Sequence, residues 1–162
     1  MVYIIAGATG VVGSAISKEL AKENEVHLIG RDEDKLSALS KEIDAQYSLI
    51  DLTDTTEQRE FSKIIPDDKE IKGLVNCIGS ILIKPLHGTK TEEFEEVLRV
   101  NLFSSYYLLS SFARRMKNGS AIFFSSVAGT KGLSNHEAIA AAKAGLEGMA
   151  RSAAASYACL LY

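Results

Sequence analysis

The sequence predicts an α/β protein, a doubly wound parallel sheet in a three-layer α/β/α arrangement. Three observations carry this expectation. Short apolar runs alternate with longer stretches of helical periodicity in the order βαβαβαβαβα. The first run, Val2 to Ala6, is apolar throughout, as a strand buried on both faces requires. A glycine-rich turn stands at the first strand–helix junction. With 162 residues, 46% of them hydrophobic and 24% charged, and no internal repeat or low-complexity linker, residues 1–162 are expected to form a single domain.

Taken in order, Val2–Ala6 is the first strand, and Ser14 to Lys22 places Ile16 and Leu20 one turn apart on an amphipathic helix. Glu25 to Ile29 is the second strand, closed by Gly30. Asp32 suits the N-cap of a helix running to about Ile43, with Leu36, Leu39 and Ile43 on one face. Tyr47 to Ile50 reads as a third strand. A helix through Arg59 and Phe61 is expected to stop near Pro66, since proline disfavours helical geometry in its predecessor. Gly73 to Ile78 is strand four. Thr91 opens the longest predicted helix, with Glu92 and Glu93 favourable at its positive end. This helix is expected to reach about Lys117 and stop at Asn118-Gly119. Ser120 to Ser125 is strand five, and an alanine-rich helix follows from Asn135 to about Tyr157.

Several function classes are disfavoured. A net charge of −3 argues against a nucleic-acid partner, which calls for clustered Lys and Arg. Cys77 and Cys159 lack a paired spacing, and with His27, His87 and His136 they show no zinc pattern, so neither a disulfide framework nor a metal is expected. The first 17 residues carry no charge, but they lack a basic start, and Gly7, Gly10 and Gly13 interrupt the apolar run. No uncharged stretch reaches the roughly 18 apolar residues of a membrane helix. No membrane partner and a cytoplasmic location are expected.

The turn reads Gly7-Ala8-Thr9-Gly10-Val11-Val12-Gly13. Glycines there permit a tight bend, a close approach of backbone to pyrophosphate, and close helix–strand packing, while the helix N-terminus offers free N–H groups to phosphate. A tight turn without a ligand would use the same residues. At this junction the pattern favours a Rossmann-type dinucleotide site, and the missing Gly-Lys-Ser/Thr excludes a P-loop. An NAD site usually places a carboxylate at the end of strand two for the ribose hydroxyls. Here Gly30 and Arg31 stand there, and a guanidinium suits a 2′-phosphate. NADP is therefore favoured over NAD. Asp32, turned inward, is the rival feature that would serve NAD.

With these residues in hand, the chain resembles the short-chain dehydrogenase/reductase family from residue 2 to about 158. The Gly-x-x-Gly-x-x-Gly spacing is similar to its extended and atypical branches. Asp51-Leu52 resembles the pair that contacts adenine, and Asn76-Cys77-Ile78-Gly79 resembles the family's Asn-Asn-Ala-Gly motif with two substitutions. Asn101 falls where the family keeps an active-site asparagine, which organises a proton-relay water. Ser126, within Ser125-Ser126-Val127-Ala128-Gly129, matches the catalytic serine. The resemblance implies that Gly7, Thr9, Gly10, Val11, Val12, Gly13, Arg31, Asp51, Leu52, Asn76, Gly79 and Lys143 bind the cofactor. It implies catalytic roles for Ser126, Lys143 and Asn101.

One departure bears on mechanism. The family pairs Tyr-x-x-x-Lys one helical turn apart. This chain has Lys143 in place, 17 residues after Ser126, but Ile139 in the tyrosine position. Isoleucine has no proton to give. His136, three residues earlier, is a candidate replacement, since its unperturbed pKa suits proton transfer near neutrality. Solvent exposure at a helix start is its other reading. The chain also stops where the family continues, and so looks C-terminally shortened. The expectation is an NADP-dependent oxidoreductase of a small carbonyl or alcohol substrate. The alternative is a catalytically impaired NADP-binding protein, a redox sensor or non-catalytic subunit. A homo-oligomer through the long helix and the last helix is expected from the resemblance.

Overall fold

A computed structural model describes residues 1–54 and 61–157, with the side chain of Lys117 excepted. Five strands form one parallel sheet: β1 (Val2–Ala6), β2 (Glu25–Gly30), β3 (Gln46–Leu49), β4 (Ile71–Asn76) and β5 (Met116–Phe123), in the order β3-β2-β1-β4-β5. The helices are α1 (Val11–Leu20), α2 (Glu33–Ile43), α3 (Thr91–Leu98), α4 (Ser104–Phe112) and α5 (Glu137–Ser156). Of the expected helix through Arg59 and Phe61, residues 55–60 lie outside the described range; Phe61 is helical, and the chain turns over residues 62–65 before Pro66.

Alternation along the strands sorts the core into two layers. Val2, Ile4 and Ala6 of β1 join Leu74, Leu108, Phe112 and Met116 on the side of α4. Ile5, Val26, Leu28 and Val75 face the other way and pack with Leu36 and Leu39 of α2 and Ile16 and Leu20 of α1. The α/β/α sandwich with a doubly wound sheet is thus present. α2 starts as its sequence dictates: the Asp32 carboxylate accepts the N–H of Lys35, and Glu33 and Asp34 fill the first turn.

The long predicted helix is the main correction. It breaks after Leu98 into a π turn over Arg99–Phe103, resumes as α4, and gives way at Ala113–Arg115 to a short 3₁₀ turn. Strand β5 begins at Met116, so Asn118-Gly119 lies inside a strand and does not end a helix. Ile71 pairs with Met116 and Gly73 with Ser120, which leaves residues 117–119 facing Lys72 alone. This bulge needs the positive φ of Asn118 (52°), and a Cβ on Gly119 would approach the Lys72 carbonyl oxygen to 2.9 Å. The Lys72 ammonium donates to the Asn118 carbonyl at 2.8 Å and closes the bulge.

The π turn also has a local cause. A mid-helix asparagine competes with the backbone, and Asn101 Nδ2 donates to the Val97 carbonyl four residues back. The Ser104 N–H reaches Arg99 O, five residues back, while Ser104 Oγ donates to Val100 O at 2.7 Å.

Candidate functional site

Between β1 and β4 the strand order reverses, and in such sheets ligands bind beyond the C-terminal strand ends at that point. A cleft of about 580 Å³ opens there. Of the expected cofactor residues, Gly7, Thr9, Gly10, Arg31, Asp51, Leu52 and Gly79 line it.

The glycine turn is built by close contacts. Gly7 adopts φ +71°, and its N–H and that of Ala8 both donate to Ile29 O, at 2.9 and 3.1 Å. Gly13 packs so tightly that a Cβ would lie 2.2 Å from the Gly7 carbonyl oxygen. Gly10 caps α1 with extended backbone and no side-chain acceptor, and the first turn holds no acidic residue. The N–H groups at this end, beside exposed Val11 and Val12, are therefore left for a ligand anion. These features fit the phosphates of a dinucleotide.

At the β2–β3 end, Arg31 Nη1 lies 3.3 Å from Asp51 Oδ2. Asp51 Oδ1 accepts from the Thr53 N–H (2.8 Å) and hydroxyl (2.7 Å). Partial burial raises the Asp51 pKa, but the bonds from Thr53 and the Arg31 charge outweigh it and hold the carboxyl below its ordinary value. Asp32, the rival NAD feature, is engaged in capping α2 and lies 2.7 Å from Lys35 Nζ. Leu52 is buried in the core and contributes a wall.

At the β4 end, Asn76 is buried and ties strand to helix. Its Nδ2 donates to Ser104 Oγ (3.0 Å) and Ser105 Oγ (2.7 Å), and its Oδ1 accepts the Ile78 N–H at 3.0 Å. Asn76 thus shapes the loop that carries Gly79 and does not itself line the cleft. A Cβ on Gly79 would stand 3.3 Å from Asn101 Oδ1 and 4.0 Å from Lys143 Nζ, so these two residues converge on that glycine. Asn101 is 1% exposed, and its amide faces Ser80. Lys143 donates to Phe124 O at 2.8 Å, and burial pushes its ammonium pKa below the ordinary lysine value.

Ser126 opens a short 3₁₀ turn, where its Oγ accepts the Ala128 N–H at 3.2 Å. His136 sits at the start of α5 with Nδ1 2.7 Å from Ser134 O. Ile139 is 3% exposed and packs with Val97, Ala128, Ala138 and Ala142.

Lys35, Thr53 and Ser80 also line the cleft and were not singled out from the sequence, and Cys77, noted there within the strand-four motif but given no role, lines it as well. A polar residue directly after the strand-four motif was the available signal for Ser80. Burial pushes the Cys77 thiol up to about 11, so it is an inert wall. Among the described residues no group of three or more His, Cys, Asp or Glu is placed to hold a metal. None of their helices is long and apolar enough to cross a membrane.

Comparison with known proteins agrees with this geometry. The sequence profile of the family described as short chain dehydrogenase matches residues 1–159. A 3-oxoacyl-[acyl-carrier-protein] reductase of Rickettsia bellii is 30% identical over 155 residues, covering 93% of this chain and 64% of that protein. The chain therefore spans just under two thirds of that relative's length. A metagenomic short-chain oxidoreductase solved in complex with NADP is 32% identical, with a TM-score of 0.88, covering 96% of this chain and 76% of that one. An oxidoreductase of E. coli, yciK, shares the fold with a TM-score of 0.92 at 24% identity, covering 99% and 71%. The chain belongs to the short-chain dehydrogenase family.

Proposed function

We propose that this chain forms the NADP-binding part of an oxidoreductase that interconverts a small carbonyl compound and its alcohol. One observation carries the reading: a single cleft joins the uncapped N-terminus of α1 to Arg31 at one end and Gly79 at the other. The metagenomic relative solved with NADP supports the choice of cofactor. Arg31 and Lys35 offer charge to a 2′-phosphate, and Asp51 and Leu52 flank the adenine.

The nicotinamide, when bound, supplies the hydride. Lys143, with one N–H given to Phe124, has two left to donate to ribose hydroxyls. The Ser126 hydroxyl accepts from Ala128, so its own proton is available to the substrate oxygen. Asn101 steadies the loop beneath them.

Ile139 favours a second reading, in which the chain binds NADP without turnover. Its side chain sits in an apolar cluster and carries no proton. His136 bonds to the carbonyl of its own loop, which supports a structural role over proton transfer. Titration of the protein with NADPH and NADH, followed by nicotinamide fluorescence, tests the cofactor assignment. Saturable binding with NADPH preferred is expected, and failure to bind either nucleotide would overturn both readings. NADPH oxidation across a carbonyl panel then separates enzyme from binder.

A homo-oligomer through the α3–α4 segment and α5 is part of the proposal. Phe103 and Tyr106 are exposed on that surface, beside an apolar hollow lined by Leu102, Tyr107, Gly145 and Met149. Sedimentation velocity of the parent and of Tyr106→Glu tests it, with a shift to monomer in the variant expected.

A further inference from the structure

The amide of Asn101 can be oriented without ambiguity, because two of its partners have fixed polarity. The Ser80 N–H can only donate, and it lies 3.2 Å from Oδ1; the Val97 carbonyl can only accept, and it lies 3.0 Å from Nδ2. The remaining Nδ2 proton points at Ser80 Oγ, 3.1 Å away. The Ser80 hydroxyl is therefore an acceptor toward Asn101, and its own proton is directed elsewhere. Asn101 itself is 1% exposed and has both amide protons engaged.

Ser80 is exposed and lines the same cleft as Gly7, Thr9, Gly10 and Gly79. Its neighbour Gly79 carries no side chain, and Lys143 Nζ lies 4.0 Å from where a Cβ would be. The buried asparagine thus occupies one acceptor site of the Ser80 hydroxyl and leaves its proton for another partner, on a residue that lines the cleft while the asparagine does not. We propose that Ser80 is a cofactor-binding residue whose hydroxyl donates a hydrogen bond to a sugar–phosphate oxygen of the dinucleotide, with Asn101 as the positioning residue behind it. This rests on the dinucleotide reading above.

The test compares the parent, Ser80→Ala and Ser80→Thr, each titrated with NADPH, ADP-ribose and 2′,5′-ADP, with the melting temperature of each unliganded protein as control. Loss of one hydrogen bond is expected to weaken NADPH binding of Ser80→Ala about threefold to tenfold. Ser80→Thr should restore most of the affinity, and the unliganded melting temperature should hold within about 2 °C. A matching loss for ADP-ribose but not 2′,5′-ADP places the contact on the pyrophosphate or the ribose beyond it. A loss shared by all three places it on the adenosine half. A loss for NADPH alone places the contact on the nicotinamide ring and overturns the proposal. Equal NADPH affinity in parent and Ser80→Ala overturns the proposal while leaving the dinucleotide reading intact. A Ser80→Ala protein that melts several degrees lower, with Ser80→Thr restoring stability but not affinity, also overturns it, since the role would then be structural. A parent that binds none of the three ligands overturns both.

Discussion

Lys143 and Phe124 are joined by a 2.8 Å bond from the ammonium to the backbone carbonyl, linking α5 to the segment that leaves β5 two residues before Ser126. A second tie runs parallel to it, from Ser125 Oγ to Glu147 Oε1 at 2.5 Å. Lys143 therefore ties the serine loop to α5, with its ammonium 4.0 Å from where a Cβ on Gly79 would stand. Lys143→Met keeps the stem and removes the donor. It is expected to weaken NADPH binding about tenfold and to cost about 1–2 kcal/mol of stability from the carbonyl left unpaired, measured by fluorescence titration and urea unfolding.

On the proposed reading, Arg31 is the residue that separates the two cofactors. Arg31→Met is expected to weaken NADPH binding by about 10- to 100-fold, the worth of a charge-assisted contact to phosphate. NADH should be unaffected within about twofold. Parallel titrations check this, and an equal loss for both nucleotides would remove the 2′-phosphate role.

Two glycines offer an internal contrast. Gly13→Ala forces a methyl to 2.2 Å from a backbone oxygen that cannot yield, so α1 must move. The expected cost is about 3 kcal/mol or more, with nucleotide affinity lost. Gly148→Ala, inside α5 with nothing within 4 Å, should stabilise by about 0.5–1 kcal/mol. Chemical denaturation reads both.

Ile139→Tyr returns a phenol to a position already surrounded by apolar side chains. Overpacking should cost about 1–3 kcal/mol. If the parent is a binder, NADPH-dependent carbonyl reduction should appear in the variant alone. If the parent already turns over, kcat should rise at least about tenfold. No change in either case would show that the missing phenol is not what limits the site.

His27 sets an acid limit on the fold. It is 5% exposed on β2, with Nε2 2.8 Å from Ser48 Oγ, and burial first, then the nearby Lys69 charge, lowers its pKa from 6.5 to about 4, against a smaller opposing pull from Glu25. Lys69 and Glu25 also pair with each other. The folded state thus refuses a proton that the unfolded chain takes up. Stability contributed by neutral His27 is full above about pH 6.5 and is lost as pH falls toward 4, by about 3 kcal/mol. His27→Gln should flatten that part of a pH–stability curve.

Much of this architecture was legible because its causes are local. The Asp32 cap, the apolar β1 and the glycine turn depend on near neighbours in sequence, and each stands where its pattern put it. Asn118-Gly119 was misread because the same dipeptide ends helices and makes bulges. The choice between them is made by pairing with Ile71 and Gly73, more than 40 residues away. Ser80 escaped notice for a similar reason: its meaning comes from Asn101, 21 residues on, held inward by a π turn that no periodicity announces.

The strand order has a consequence for how the chain emerges from the ribosome. The turn after β1, Arg31 and Asp51 all lie within the first 54 residues, whereas Lys143 follows 89 residues later (143 − 54). At synthesis rates of about 5–20 residues per second, that interval is roughly 4–18 s. Throughout the first part of it β1 has β2 on one side and no β4 on the other. The nascent protein thus presents the glycine turn on a strand with an open edge, and it is the later arrival of β4 that both closes that side of β1 and completes the cleft.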